Sequence, residues 1–284
     1  MRGSAGEGKK KDEENESGAH FSKFDSPNSS QFMNTASFYL GLSFLSNDAV
    51  SGREAGSRRG DVSHREGRRI LGLLDGGSPA ALRTEILGRP YFADRHADFS
   101  VSHSGSMIAV SFLPERSAQT GFPLRTGCDI QYVNSRKNRD KIIRQFFSRA
   151  ERVYIAAACA AQERLLRFYR IWVLKECFIK ANGLSVFDMR KCPVFIFNTE
   201  QAAFYTYSRG VPDKIAHPWF TFYVYEYGRG ASVGYVLAAA RERNGPVSSS
   251  QPEVSWFSPD TLPLIRSAEI NAVVSPVKTV RPKI

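Results

Sequence analysis

The run ERLLRFYRIWVLKECFIKANG, residues 163–183, constrains this chain more than any other segment. It is long enough for a helix of several turns, and Asn182-Gly183 supplies the left-handed stop that ends one. At about 100° per residue, Leu165, Tyr169, Trp172, Val173 and Ile179 share one face. Glu176 falls near the middle of that face, and Lys180 follows one turn later. Leu174 and Phe178 lie on the other side and demand burial on more than one face. A carboxylate inside an apolar stripe is costly unless it is paired or bound to metal. A solvated i,i+4 Glu–Lys pair accounts for the same two residues. The wheel alone leaves both readings open.

Strands surround this helical stretch, which begins near residue 136. SFYLGLSFL (37–45), MIAVSFLP (107–114) and RTGCDIQYV (125–133) have strand composition. LGRPYF (87–92) and DFSVSHS (98–104) read as short strands or loops, with Ser104-Gly105-Ser106 as a turn. Residues 46–62 are Gly- and Arg-rich and read as loop, and HREGRRILGLL (64–74) has helical spacing. VFIF (194–197), AAFYTY (202–207), WFTFYVYEY (219–227) and ASVGYVLAAA (231–240) read as an antiparallel sheet. The order implies an α+β fold with two similar halves meeting near 115–125. The expected organisation is a disordered tail over 1–33, an N-terminal half over 34–123, a C-terminal half over 124–265 and a tail over 266–284. In the Ser/Pro-rich stretch from 246, only VSWFSPDTLPLI (254–265) has the composition of ordered chain.

A chain of 284 residues with 42% hydrophobic and 24% charged residues can bury a substantial core. No apolar run approaches the 18 or so residues of a membrane span. MRGSAGEGKKKDEENESG at the start has no apolar segment of a secretory signal. Cys128, Cys159, Cys177 and Cys192 show neither C-x-x-C nor zinc spacing, which fits free thiols in a reducing cytoplasm. The net charge is +11, and residues 1–33 hold five Lys/Arg against six Asp/Glu, so the excess belongs to the rest of the chain. That excess suits an acidic partner. Nucleic acid is disfavoured, because neither a helix-turn-helix nor aromatics interleaved with arginine is evident.

Further residues carry possible chemistry. Alternation along RTGCDIQYV sends Asp129 and Gln131 to the face opposite Cys128 and Ile130. That face is either solvated or, with Glu176, able to hold magnesium, which needs one or two carboxylates beside substrate phosphate. His103 stands between two serines at a strand end, as a structural residue or a phosphate contact. Ser148 and Glu151 have capping-box spacing. Arg136, Lys137, Arg139, Lys141 and Arg144 with Ile142, Ile143, Phe146 and Phe147 form a basic amphipathic segment. It is either an ordinary half-buried helix or a docking surface for the acidic partner. Arg53, Arg58, Arg59, Arg65, Arg68 and Arg69 crowd one stretch, and arginine is the fork-shaped phosphate ligand.

In order and spacing, GRP (88–90), FSVSHSG (99–105), GCDIQ (127–131), FFSRAE (146–151) and FYRIWVLKECFIKANGLS (168–185) resemble the 4′-phosphopantetheinyl transferases of the Sfp-like type. VSWFSPDTLPL resembles the end of such proteins, so the resemblance covers about 35–265. It implies a pseudo-two-fold α+β fold with coenzyme A between the halves. It also implies transfer of phosphopantetheine to a serine of an apo carrier protein, with release of adenosine 3′,5′-bisphosphate. By position, Asp129 and Glu176 would hold magnesium against the pyrophosphate, and Lys180 would stabilise the leaving group. Ser102 and His103 would meet the 3′-phosphate end of the nucleotide. Arg89 would stand where the family often has lysine, and Arg59 and Arg65 would reach phosphates. Glu176, or a water it holds, would be the base, with Glu151 a weaker candidate. Gln131 departs from the G-x-D-x-E that many members carry and lowers the negative charge expected at the metal. A catalytically silent relative that only binds coenzyme A or a carrier is the first alternative, and a basic nucleic-acid-binding protein is a more remote one. The expected protein is a cytoplasmic monomer that binds neither membrane nor nucleic acid.

Overall fold

The computed structural model describes residues 38–45, 55–76, 81–94, 97–114, 124–135, 138–198, 203–207, 219–229, 232–242, 253–258 and 264–273. The expectations for 1–33, for 274–284 and for Arg136 and Lys137 lie outside the described residues. The fold is α+β, as the element order implies, and two four-stranded sheets carry it. The first runs β11 (Glu253–Trp256), β1 (Tyr39–Phe44), β5 (Met107–Leu113), β4 (Asp98–Ser104). The second runs β12 (Leu264–Val273), β9 (Trp219–Arg229), β10 (Ser232–Glu242), β6 (Thr126–Tyr132). The hairpins β2–β3 (Leu82–Thr84, Pro90–Phe92) and β7–β8 (Val194–Asn198, Ala203–Tyr207) form two separate two-stranded sheets. β11 pairs parallel with β1, so the first sheet borrows a strand from far down the chain. β12 extends the ordered chain beyond residue 265, where the composition suggests a tail.

The sheets face one another through a core of Leu40, Leu42, Met107, Cys128, Ile130, Tyr223, Tyr225 and Leu237. Helix α1 (Ala55–Leu74) covers the outer side of the first sheet. It begins at Ala55, well before the expected start near 64. Glycine suggested a loop in this stretch, but glycine also permits close packing. A Cβ on Gly67 would come within 2.9 Å of Val101 Cγ1 on β4. The helix therefore lies close against the sheet, while Arg65, Arg68 and Arg69 are exposed.

On the other side, the chain between β6 and β7 forms α2 (Arg139–Phe146), α3 (Arg149–Ala156), α4 (Ala161–Asn182) and a 3₁₀ helix (Val186–Lys191). Ser148 and Glu151 make the expected capping box at α3, and Gly183 ends α4 with φ +61°. Helix α4 is buried nearly all round, from Phe168 to Lys175 without a break. This replaces the single-stripe expectation, as Leu174 and Phe178 required. One side lies on β6 and β10, the other under α3, the 3₁₀ helix and β7. Burying so much charged helix needs internal pairing. Arg170 bonds Glu226 of β9 at 2.5 Å and Glu163 at 2.8 Å. Lys175 meets Glu151 at 3.1 Å.

The tightest contact in this layer is Gly127 of β6. A Cβ there would stand 2.2 Å from the Cys177 carbonyl oxygen and 2.8 Å from the Ala181 nitrogen. The helix backbone thus rests directly on the strand, and the Cys177 thiol donates to the Gly127 carbonyl at 3.1 Å. Gly127→Ala should push α4 off β6 and lower unfolding stability by more than about 2 kcal/mol. Chemical denaturation would check this, and a midpoint unchanged from wild type would contradict it.

Candidate active site

The close approach at Gly127 sets what stands two residues further along the strand. Alternation puts Asp129 and Gln131 on the α4 side of β6, with Cys128 and Ile130 in the inter-sheet core, as the sequence suggests. Lys180 reaches back from the last turn of α4, and its Nζ lies 2.7 Å from Asp129 Oδ1. Ser102 of β4 completes the group. Its hydroxyl donates to Asp129 Oδ1 at 2.8 Å and accepts from Lys180 Nζ at 2.9 Å and from the Ile130 N–H at 3.2 Å. A serine hydroxyl has one donor and two acceptor positions. All three are occupied, so Ser102 has no capacity left for a nucleotide phosphate while these bonds hold. Gln131 Nε2 donates to Asp129 Oδ2 at 3.0 Å.

Asp129 is almost fully buried, whereas the Lys180 side chain keeps 30% exposure. Two of the three ammonium donors are taken by Asp129 and Ser102, and the exposed side leaves one for a ligand. Burial depresses the Lys180 pKa, but Asp129 above all, with Cys128 and Glu176 contributing, overrides it and leaves the ammonium above its ordinary value. Glu176 is half-buried, four residues before Lys180 and on the same helical face.

The donor set can be tested against magnesium. Asp129 and Glu176 are two carboxylates on elements that pack together, which suits an ion that takes few protein ligands and completes its shell with substrate phosphate and water. Gln131 can offer its carbonyl oxygen only if its amide turns over, because the nitrogen now faces Asp129.

His103 stands beside this group and is exposed. Partial desolvation lowers its pKa first, then the positive charges of His64 and Lys180, while Asp129 acts in the opposite sense. The sequence reading missed His64. Its ring packs edge-on against His103 with centroids 6.4 Å apart. The signal was present: positions 64 and 67 share a helix face, 101 and 103 share a strand face, and Gly67 rests on Val101. Arg65 is exposed on α1; Arg59 lies on α1, with its side chain outside the described set.

Arg89 is engaged elsewhere. Its guanidinium bonds Asp98 Oδ2 at 2.6 Å, the Lys180 carbonyl at 2.8 Å and the Thr126 carbonyl at 3.3 Å. Burial pushes the Asp98 carboxyl up, and Arg89 pulls it back down without fully compensating. Arg89 therefore fastens the C-terminus of α4 to β4 and β6. Glu151 is also fully engaged: it is buried and accepts from Lys175, the Ser148 N–H and the Phe195 N–H. Cys128, Cys177 and Cys192 are buried, free and held above the ordinary thiol range by desolvation, while Cys159 is exposed.

The 4′-phosphopantetheinyl transferase superfamily profile matches residues 125–236, a span from β6 through α4 into β10 that includes Asp129, Glu176 and Lys180. This segment belongs to the 4′-phosphopantetheinyl transferase superfamily. Among curated proteins, the chain is similar to the 4′-phosphopantetheinyl transferase HetI of Nostoc, 24% identical over 145 residues, covering 49% of this chain and 57% of HetI. It is similar to AcpT of Salmonella typhimurium, 31% identical over 103 residues, covering 36% of this chain and 49% of AcpT. It is similar to NpgA of Emericella nidulans, 30% identical over 115 residues, covering 31% of this chain and 33% of NpgA. The chain spans about half the length of the curated relatives it matches, and less in NpgA. Among the described residues, no helix is long and apolar enough to cross a membrane.

The pair at the centre of this superfamily segment should be energetically coupled. Asp129→Asn, Lys180→Met and the double variant should give a coupling of about 1–2 kcal/mol, below the figure for a fully buried pair because Lys180 is partly exposed. The raised Lys180 pKa makes this stabilisation complete below the ordinary lysine value of 10.5 and lost as pH rises through the folded-state value. Strictly additive single variants would mean that the contact does no stabilising.

Proposed function

We propose that this protein transfers the 4′-phosphopantetheine group of coenzyme A to a serine of an apo carrier protein and releases adenosine 3′,5′-bisphosphate, as a member of the Sfp-like type. The observation that carries the reading is the Lys180–Asp129 contact at 2.7 Å, which joins two motif residues 51 positions apart beside the half-buried Glu176.

The proposed step is attack of the serine oxygen on the β-phosphorus of the coenzyme A pyrophosphate. The new P–O bond forms as the bond to the bridging oxygen breaks, and the leaving phosphate takes up the charge. Most of the rate in phosphoryl transfer comes from positioning and from neutralising that shifted charge. The remaining N–H of Lys180 is suited to the leaving phosphate, and Asp129 with Ser102 keeps the ammonium charged and aimed. Asp129 and Glu176 would hold magnesium, which when bound supplies charge neutralisation to the pyrophosphate. Glu176, through a water it holds, would take the serine proton. Glu151 is set aside as a base because its oxygens face only internal donors. His103, with His64 packed against it, is the expected contact for the 3′-phosphate, Arg59 and Arg65 of α1 are expected at the phosphates, and Ser102 is read as a positioning residue. The carrier is expected to be acidic and to dock on α2, where Lys141 and Arg144 are exposed.

Intact-mass analysis of candidate apo carriers after incubation with coenzyme A, magnesium and this protein tests the reading. A carrier gaining one phosphopantetheine on serine is the expected result. Glu176→Ala should lose most of that turnover while keeping the fold, and near-native turnover at saturating magnesium would place the metal and base elsewhere.

Gln131 bears on the alternative of a silent relative. Gln131→Glu changes shape little and adds a charged oxygen next to Asp129. The variant should reach half-maximal turnover at lower magnesium than wild type. Superimposable magnesium titrations would put Gln131 outside the metal shell.

A further inference from the structure

A cavity of about 330 Å³ opens where α2, α3, the 3₁₀ helix and β7 meet, and no member of the Asp129–Lys180 group lines it. Arg144, Arg149, Arg152 and Arg190 border it, and the buried Lys175 closes it from within. The local fold makes this convergence. The capping box at Ser148 fixes the entry of α3, so Arg149 and Arg152, three apart, share a side of that helix. Arg190 is held by an Nε–H bond to the Gln145 carbonyl at 2.7 Å, which leaves its terminal nitrogens open.

Arginines that approach one another usually meet a carboxylate. Here the oxygens of Glu151 are spent on Lys175, the Ser148 N–H and the Phe195 N–H, while Glu176 and Asp188 act on the lining Cys192 without an ion pair to these arginines. Among the described residues, Arg144, Arg149 and Arg152 have no carboxylate partner. Four exposed guanidinium groups thus border one concavity, and none of them has an ion-pair partner among the described residues. Phe146 and Phe147 also line it, and such apolar walls strengthen the field inside.

We propose that this cavity binds a small polyanion of the diphosphate class, at a site separate from the Asp129–Lys180 group. The volume lies at the lower end of small-molecule sites, about 300–1,000 Å³. Guanidinium forks match the paired non-bridging oxygens of phosphate groups. Four guanidinium groups match the charge of two linked phosphates better than that of one.

Calorimetric titration of the full chain with inorganic pyrophosphate, without magnesium and at low ionic strength, tests this. Wild type should show a site that Arg149→Ala/Arg152→Ala weakens at least tenfold. Arg139→Ala/Lys141→Ala removes as much charge outside the cavity and should leave that site intact, and Lys180→Ala should also retain it. The proposal is overturned if the Arg149/Arg152 variant binds like wild type, if the Arg139/Lys141 variant weakens binding equally, or if Lys180→Ala abolishes all binding. Should the alanine pair fail to fold, Arg149→Lys/Arg152→Lys keeps the charge and removes the forks. It should still bind measurably more weakly than wild type, and equal affinity would overturn the proposal.

Discussion

Gly127 leaves no room for a side chain, and the placement of the candidate site follows from that constraint. With the α4 backbone resting on β6, the last turn of the helix passes just beyond the strand's next outward position. Lys180 then finds Asp129 at 2.7 Å instead of reaching into solvent. The helix end is held in two further ways: Gly183 turns the chain away, and Arg89 grips the Lys180 carbonyl. A lysine on a frayed last turn would lose the fixed aim that charge stabilisation of a leaving group requires.

The second support is the seam between the edges of the two sheets. β4 closes one sheet and β6 the other, and no backbone ladder joins them. Side chains of β4 do so at a constant spacing of 28 residues. Asp98 accepts from the Thr126 N–H, Ser102 from Ile130 and Ser104 from Tyr132. An exposed strand edge is a hazard, and here polar side chains satisfy it. The serines of the SVSHS segment therefore build the seam, while His103 between them faces outward. Ser102 serves both purposes, because the hydroxyl that ties Ile130 also orients Asp129.

Much of this was legible in the sequence. Period-two alternation placed Asp129 and Gln131 on one face of β6, the Ser148–Glu151 spacing gave the cap of α3, and Asn182-Gly183 marked the end of α4. What stayed hidden depends on contacts distant in sequence. The helical start at Ala55 was obscured by glycine, and the reason for Gly67 is Val101, on another element. The all-round burial of α4 relies on Glu226 and Glu151, which neutralise its charges from β9 and α3. The parallel pairing of β11 with β1 leaves no local mark on either strand. Arg89 has a family position that suggests ligand contact, and its buried ion pair with Asp98 shows only in the fold.

In the proposed function Lys180, fixed by Asp129 and Ser102, faces the pyrophosphate of coenzyme A. A crystal structure of the protein with coenzyme A and magnesium tests it most directly. The expected result is a phosphate oxygen within hydrogen-bond distance of Lys180 Nζ, with Asp129 and Glu176 on the same side of the pyrophosphate. Coenzyme A bound with its pyrophosphate away from Lys180 would contradict it, even if the protein proved to be active.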